Sequence, residues 1–333
     1  MIEKLERILP TVQKPARYVG GEYNQIVKDR AQVDLRVAFC FPDTYEIGMS
    51  NLGMRILYAV TNRMDGVWCE RVFAPWGDME EAMRKNGIPL YALESGDALA
   101  EFDVIAFTVG YEMSYTNILN MLRLAELPLH AADRTELKHL VIAGGACVYN
   151  PEPLADFIDL FILGEGEEVN CEVLELYRRA KREGWSKQAF LLAAMRIEGV
   201  YVPSFYRHSY GPDGRLQEIT PLHGAPERVT KRIIQHLDDA LYPTDMIVPN
   251  TEIVHDRANL EVMRGCIRGC RFCFSRRSRC WKIPAAARSR SPACLPRITA
   301  ACRSWRTSCW TTARSARSAW RCRACGRTTS PAS

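Results

Sequence analysis

Short apolar runs alternate with segments of helical periodicity from residue 33 to about residue 180, and this alternation constrains the fold more than any other feature of the chain. The pattern predicts βαβ units around a mostly parallel sheet, an α/β fold of the Rossmann-like type. The predicted strands are Val33–Cys40, Val67–Phe73, Val104–Val109, Leu140–Gly144 and Leu160–Leu163. The predicted helices are Met49–Thr61, Asp78–Arg84 with Asp78 as N-cap, Ser114–Leu124 and Glu168–Lys181.

The loops after these strands are the candidate binding loops, because a doubly wound sheet binds its ligand outside the carboxyl ends of its strands. Gly144 and Gly145 follow one predicted strand, and Gly164 and Gly166 follow the next. Glycine lets a backbone approach a phosphate or a planar cofactor closely, and it also serves ordinary turns. Dinucleotide and P-loop functions are disfavoured, because neither glycine motif occurs in this region.

Residues 184–255 are less regular and predict a connector that carries the chain between domains. They contain a predicted helix at Ser186–Met195, a short strand at Tyr201–Tyr206 and a turn at Gly211–Gly214, and six prolines punctuate them. The longest apolar runs of the chain are far shorter than the ~20 residues that a membrane span needs. The start, MIEKLERILP, has no apolar core of a targeting signal, so we expect a cytoplasmic protein without a membrane partner.

The sharpest chemical signal is a group of three cysteines, Cys266, Cys270 and Cys273, at C-x3-C-x2-C spacing. Such a loop can aim three thiolates at one [4Fe–4S] cluster and leave the fourth iron without a protein ligand. Structural zinc usually has four ligands in close pairs, and here only Cys270 and Cys273 form such a pair. A disulfide is disfavoured in the cytosol. The spacing therefore favours an iron–sulfur site over zinc, a disulfide or chance.

With this loop, which has Phe272 just before its last cysteine, the chain resembles the radical S-adenosylmethionine superfamily and its C-x3-C-x-aromatic-C signature. The resemblance implies that Cys266, Cys270 and Cys273 bind a [4Fe–4S] cluster. It implies that the open iron holds S-adenosylmethionine, with Phe272 beside it, and that the cofactor yields a 5′-deoxyadenosyl radical. It also implies an electron donor such as a flavodoxin or a ferredoxin, and a substrate that the sequence does not identify.

The part before the loop resembles the cobalamin-binding domain that precedes the barrel in one branch of this superfamily. The resemblance rests on Gly144-Gly145, Pro151 and the stretch LGEGE at 163–167. It implies that Gly144, Gly145, Gly164 and Gly166 line a cobalamin-like pocket. Domains that ligate cobalt carry a D-x-H-x-x-G loop after the first strand, whereas residues 41–48 read FPDTYEIG. Cobalamin therefore remains possible, but its lower axial histidine is absent.

The chain changes character after Cys273. Residues 274–333 hold thirteen Arg, one Lys and no acid, a charge of +14, whereas the preceding 273 residues carry 30 basic against 39 acidic side chains, a charge of −9. The predicted order is a lead-in at 1–30, a cobalamin-binding-like α/β domain at 31–183, a connector at 184–255, the start of a radical-SAM (βα) barrel at 256–273 and a tail at 274–333. The barrel is therefore expected to be incomplete.

Two explanations of the tail are open. A basic arm for nucleic acid would use arginine to neutralise phosphates, but the tail also holds six of the thirteen cysteines and four of the seven tryptophans. A one-base slip of the reading frame fits better. Shifting the frame gives Leu from Cys280-Trp281 and Glu from Trp281-Lys282, and an amphipathic acidic helix across Ser304–Thr312. On this hypothesis the tail has no evolved fold, and the chain is catalytically impaired.

Other functions remain as alternatives. A tRNA methylthiotransferase would use Cys40, Cys69 and Cys147 for a second cluster, and their wide spacing fits this poorly. A nucleic-acid-binding protein would use the tail, which makes nucleic acid an unfavoured partner. An α/β domain with a structural metal is the third alternative.

We predict that the nucleotide sequence near codon 274 contains a one-base insertion or deletion, because the acids missing from the written tail return in the shifted frame. Sequencing the locus checks this. An intact frame that encodes the written codons would contradict it.

Overall fold

A computed structural model of the chain describes residues 2–237, 240–256, 261 and 264. Residues 2–237 and 240–256 belong to one compact unit, and Glu261 and Arg264 belong to a second. Among the described residues, no helix is both long and apolar enough to cross a membrane.

The strands of the first unit build one six-stranded sheet and one hairpin. They are β1 (Leu35–Phe41), β2 (Val67–Phe73), β3 (Val104–Thr108), β4 (Leu140–Gly144), β5 (Leu160–Ile162), β6 (Val200–Tyr201), β7 (Tyr206–Tyr210) and β8 (Leu216–Pro221). The sheet has the order β2-β1-β3-β4-β5-β6, in which β1 to β5 are parallel and β6 is antiparallel to β5. The strands β7 and β8 form the separate hairpin.

Helices lie between β1 and β2, between β2 and β3, and between β3 and β4, as the βαβ pattern predicted, whereas only short 3-10 turns lie between β4 and β5. The α-helices of the described residues are α1 (Ile2–Ile8), α2 (Tyr45–Met49), α3 (Leu52–Asn62), α4 (Gly77–Asn86), α5 (Tyr115–Leu124), α6 (Gly166–Glu183) and α7 (Lys187–Ala194). A mostly parallel sheet in the order 2-1-3-4-5 is consistent with the Rossmann-like fold that we expected. The cobalamin type of the domain and the incomplete barrel stay predictions.

Local hydrogen bonding explains where the elements depart from the predicted bounds. The predicted helix at 49–61 begins later, at Leu52, because α2 ends at Met49 with Ser50 as its C-cap and the Asn51 side chain caps α3 by accepting from Met54 N at 2.9 Å. Asp78 is not an N-cap. Trp76 holds that position, while Asp78 accepts from Gln13 N at 2.7 Å. The predicted strand at 201–206 is interrupted by the turn Pro203–Phe205, where proline lacks the N–H that a ladder needs.

The strand β2 lies at the edge of the sheet, yet all seven of its residues are buried. The segment after α4 covers its free edge, and Leu93 N donates to Arg71 O at 2.9 Å. The lead-in covers it as well, since Trp68 Nε1 donates to Ile26 O at 3.1 Å. Lys28 Nζ donates to three backbone carbonyls at and beyond the end of α3. An edge that is covered in this way cannot pair with another chain.

A buried guanidinium joins these covering segments. Arg71 is 1% exposed, and its Nη1 and Nη2 donate to the two carboxylate oxygens of Glu22, each at 2.9 Å. Its Nε donates to Glu94 Oε1 at 2.6 Å, and its backbone N donates to Glu94 Oε2 at 2.6 Å. Burial favours the neutral acid of Glu22, but the hydrogen bonds and charge of Arg71 hold the pKa of Glu22 below its ordinary value. The carboxylate of Glu22 is therefore ionised against the guanidinium.

We predict that Arg71→Met lowers the free energy of unfolding by about 3–5 kcal/mol, because it leaves two carboxylates buried without their cation. The matched control is Arg84→Met. Arg84 forms an exposed pair with Glu80 four residues away, so its loss should cost about 1 kcal/mol or less. Urea denaturation of the full chain, followed by circular dichroism, measures both. Equal losses in the two variants would contradict this role of Arg71.

Candidate functional site

The carboxyl edge of the sheet has its topological switch point between β1 and β3, where a doubly wound fold places its ligand. Two hydrogen bonds join the loops on either side of this point. Tyr111 Oη donates to the carboxylate of Asp43, and Asn117 Nδ2 donates to Pro42 O at 2.9 Å. The bond to Asp43 raises the pKa of Tyr111 to about 12, so the phenol stays a donor at neutral pH. The switch point is thus bridged by polar contacts between two loops.

Exposed apolar side chains follow the carboxyl ends of β1, β2, β3 and β4. They are Ile47, Trp76, Tyr111, Met113 and Tyr149. The most exposed is Met113, whose surface is 84% accessible. An apolar rim of this kind suits contact with an organic ligand or with another protein surface.

A buried carboxylate lies just beneath this rim. Glu46 on α2 accepts from Arg17 Nε at 2.8 Å and from Lys14 Nζ at 3.3 Å. Burial would raise the pKa of Glu46, but the hydrogen bond from Arg17 and further contacts lower it below its ordinary value. The Arg17 guanidinium also lies over the Trp76 ring, 5.8 Å from its centroid. This carboxylate was not among the site residues predicted from the sequence. An acid inside the run YEIGM was its only signal.

The four glycines predicted to line a pocket differ in how much space a side chain would have at each position. A Cβ on Gly144 would make only ordinary contacts with Ile162, and one on Gly166 would lie 3.2 Å from the Leu57 side chain. A Cβ on Gly145 would lie 2.6 Å from Val109 O, and Gly145 has a φ of +113°. The space beside Gly145 is therefore filled by the neighbouring loop.

Gly164 is enclosed by the connector. It has a φ of +109°, and a Cβ there would lie less than 3.0 Å from three backbone atoms of Arg232. The two segments form a parallel bridge, in which Arg232 N donates to Leu163 O at 2.9 Å and Glu165 N donates to Arg232 O at 3.0 Å. The Arg232 backbone thus fills the space that a side chain at position 164 would occupy. Whether these glycines also face a cofactor stays a prediction.

The end of the connector is fixed beside α2. Asn250 N donates to Tyr45 Oη at 3.1 Å, and His255 N donates to Ser50 Oγ at 3.0 Å. Tyr45 Oη in turn donates to Glu22 Oε1 at 2.9 Å, which links the connector to the Arg71 network. His255 precedes Cys266 by eleven residues. The chain therefore leaves the described part of the first unit close to the carboxyl end of β1.

The predicted cluster ligands Cys266, Cys270 and Cys273, and Phe272 between them, lie outside the described residues. Two residues just before the loop are described. Arg264 donates through Nε to Glu261 Oε1 at 2.8 Å and through Nη2 to Glu261 Oε2 at 2.9 Å. A two-point ion pair of this kind holds the planar guanidinium in one orientation against the carboxylate.

The loop after β1 does not supply an axial histidine for cobalamin. The loop after β1 enters α2 directly and holds Asp43, Tyr45 and Glu46 in the contacts given above, with no histidine in it. The backbone of the chain also occupies the spaces beside Gly145 and Gly164.

The cysteines proposed for a second cluster are not brought together. Cys40 on β1 and Cys69 on β2 are buried, and burial raises the pKa of both thiols. Cys147 lies at the carboxyl edge after β4, and its pKa is raised by burial and by Glu112. No three His, Cys, Asp or Glu side chains of the described residues form a group that could hold a metal ion. Cys40, Cys69 and Cys147 therefore do not form the second cluster site that the methylthiotransferase alternative needs.

Comparison with known proteins gives evidence on the family of this chain. Residues 53–203, from α3 to just past β6, match the family model described as radical SAM proteins, N-terminal. This match supports the radical SAM superfamily for this chain. An uncharacterized protein of Methanocaldococcus jannaschii, MJ0966, is 26% identical over 243 residues, which cover 72% of this chain and 41% of that protein. The alignment thus spans less than half of the relative's length. No solved structure matches the chain.

We predict that Gly164→Ala destabilises the first unit by about 1–3 kcal/mol, because alanine is strained at this φ and its methyl group meets the connector backbone. Gly77→Ala is the matched control, since a Cβ there meets nothing within 4 Å. It should be neutral or stabilising. Urea denaturation measures stability, and limited proteolysis near Arg232 reports the loosened bridge. Unchanged stability and cleavage in Gly164→Ala would contradict the close approach.

Proposed function

We propose that this chain is an iron–sulfur protein of the radical S-adenosylmethionine superfamily, with Cys266, Cys270 and Cys273 as ligands of a [4Fe–4S] cluster. The spacing of the three cysteines carries the proposal. The family match over residues 53–203 supports it separately, because the matched residues do not include the cysteine loop. The assignment is thus supported from two parts of the chain.

The donor set fits this cofactor. Three thiolates are soft ligands that suit iron–sulfur clusters, and a fourth protein ligand is not needed when one iron keeps an open position. Cys266, Cys270 and Cys273 would hold the cluster, which when bound would supply the one-electron chemistry that cleaves S-adenosylmethionine to methionine and a 5′-deoxyadenosyl radical. The protein holds and orients the reactants and keeps water and oxygen away.

Residues before and within the loop have proposed roles. The ion pair between Glu261 and Arg264 is proposed to help position the segment that carries Cys266. The role proposed for Phe272 is to help bind S-adenosylmethionine, as the resemblance implies. The α/β domain binds substrate at its carboxyl edge, where Tyr111 and Met113 form part of the apolar rim.

The class of reaction stays open, because a radical of this kind serves methyl transfer, sulfur insertion and rearrangement alike. The proposed partners are a substrate still to be identified and a one-electron donor such as a flavodoxin or a ferredoxin. The proposed compartment is the cytoplasm, where such donors occur.

We predict that anaerobic reconstitution of the full chain gives about four irons and four sulfides per chain. Alanine at Cys266, Cys270 or Cys273 should remove most of them, because each substitution takes away one of three ligands. Iron and sulfide analysis measures the content. Cys171→Ala is the matched control, since the Cys171 thiol on α6 donates to Glu167 O at 3.3 Å and should leave the iron content unchanged.

Equal iron loss in the control, or zinc in place of iron, would contradict the assignment. With S-adenosylmethionine and a chemical reductant, we expect only slow formation of 5′-deoxyadenosine, because residues 274–333 show none of the alternation that a barrel requires. Rapid turnover by this chain would overturn the proposed impairment and leave the cluster assignment intact.

A further inference from the structure

One carboxylate oxygen at the carboxyl edge of the sheet lacks a hydrogen-bond donor. The Glu46 side chain is 10% exposed, and its two oxygens have different surroundings. Oε1 accepts from Arg17 and Lys14, as described above. Oε2 is shielded from solvent and accepts no hydrogen bond from a described residue. A buried, ionised oxygen without a donor is costly, so Oε2 calls for a donor from outside the described residues.

Lys14 makes the weakest of the contacts with Glu46. Its Nζ lies 3.3 Å from Oε1, whereas Arg17 Nη2 lies 2.7 Å from the same oxygen. The Lys14 side chain is 57% exposed, and that of Arg17 is 12% exposed and lies over the Trp76 ring. An exposed lysine with one long contact loses little when it turns into solvent. Lys14 is therefore the group that a ligand can displace from Glu46, while Arg17 stays in place.

The charges around this loop favour a cationic ligand. Asp43, three residues before Glu46, accepts from a backbone N–H and a phenol. Asp78 accepts from backbone N–H groups, one of them just before Lys14 in the chain. Among the described residues, no cation forms an ion pair with either aspartate. Once Lys14 is displaced, Arg17 alone pairs with a carboxylate here, so an ammonium group is favoured and an anion is repelled.

The neighbouring loops supply apolar surface on both sides of Glu46. The strand β1 lies between β2 and β3, so the loop that holds Glu46 lies between the loops that follow those strands. Trp76 follows β2 and is 52% exposed, and Tyr111 follows β3 and is 41% exposed. Aromatic surface beside a carboxylate suits an organic cation, because ring faces attract positive charge and pack against apolar groups.

We propose that the carboxyl edge binds a primary amine, whose ammonium group displaces Lys14 and donates to the free oxygen of Glu46. The apolar part of the amine packs against Trp76 and Tyr111. This inference rests on the proposed function in one respect, since it names the chemical class of the substrate expected at this edge. Amine binding needs neither iron nor S-adenosylmethionine, so its absence would leave the cluster assignment standing, and a chain without the cluster could still bind the amine.

The test titrates the full chain with benzylamine, benzyl alcohol and benzoate at neutral pH and constant ionic strength. The three probes share a phenyl ring and differ in the charge of the polar group. Saturation-transfer difference NMR on the ring protons measures each affinity. We expect saturable binding of benzylamine, at least tenfold weaker binding of benzyl alcohol and no binding of benzoate.

Glu46→Gln should weaken benzylamine binding at least tenfold, which corresponds to ~1.4 kcal/mol, because it removes the charge that the ammonium group pairs with. Glu183→Gln is the matched control, since Glu183 is an exposed carboxylate that pairs with Arg179 on α6. It should leave the affinity unchanged. Saturable binding that is absent, equally strong for benzyl alcohol, or unchanged in a folded Glu46→Gln variant would overturn the proposal.

Lys14→Met removes the competing ammonium group and should strengthen benzylamine binding, which keeps the proposal testable even if Glu46→Gln fails to fold. Its matched control is Lys4→Met, because Lys4 is an exposed lysine on α1 that donates to Asn86 O. This control should bind benzylamine as the unaltered chain does. Weaker binding in Lys14→Met, or equal strengthening in both lysine variants, would also overturn the proposal.

Discussion

The buried ion pairs of Arg71 are the interaction on which the arrangement of the first unit depends. A guanidinium that is 1% exposed is tolerated only if carboxylates balance its charge and accept its N–H hydrogen bonds. Glu22 and Glu94 do both, from the two segments that cover the edge strand β2. Because Glu22 also accepts from Tyr45, and Tyr45 accepts from Asn250, the same network fixes the end of the connector. One buried charge thus joins the lead-in, the sheet and the connector.

This arrangement has a consequence for function. The strands meet at a carboxyl edge with polar contacts at the switch point and an apolar rim around it, which is where a doubly wound sheet binds ligands. The connector reaches the same edge through the contact of His255 with Ser50. In the proposed function, the edge that would receive a substrate and the segment that leads to the cysteine loop are therefore held by a common set of residues.

The sheet could be predicted from the sequence because its strands are apolar runs with clear ends. Val67–Phe73 and Leu140–Gly144 were correct at both ends. The covering of β2 could not be predicted, since it depends on pairing between Glu22 and Arg71, which are far apart in sequence. The role of Gly164 was also hidden. A glycine that leaves space for a cofactor and one that leaves space for the chain's own backbone look alike in sequence. Only the bridge with Arg232 shows that Gly164 does the second.

The central claim is that three thiolates leave one iron of a [4Fe–4S] cluster open to S-adenosylmethionine. The most direct test is electron paramagnetic resonance of the reduced, reconstituted chain before and after S-adenosylmethionine is added. The account predicts a cluster signal that changes when the cofactor's amino and carboxylate groups ligate the open iron. A signal that the cofactor leaves unchanged, from a cluster with all four irons ligated by protein, would contradict it.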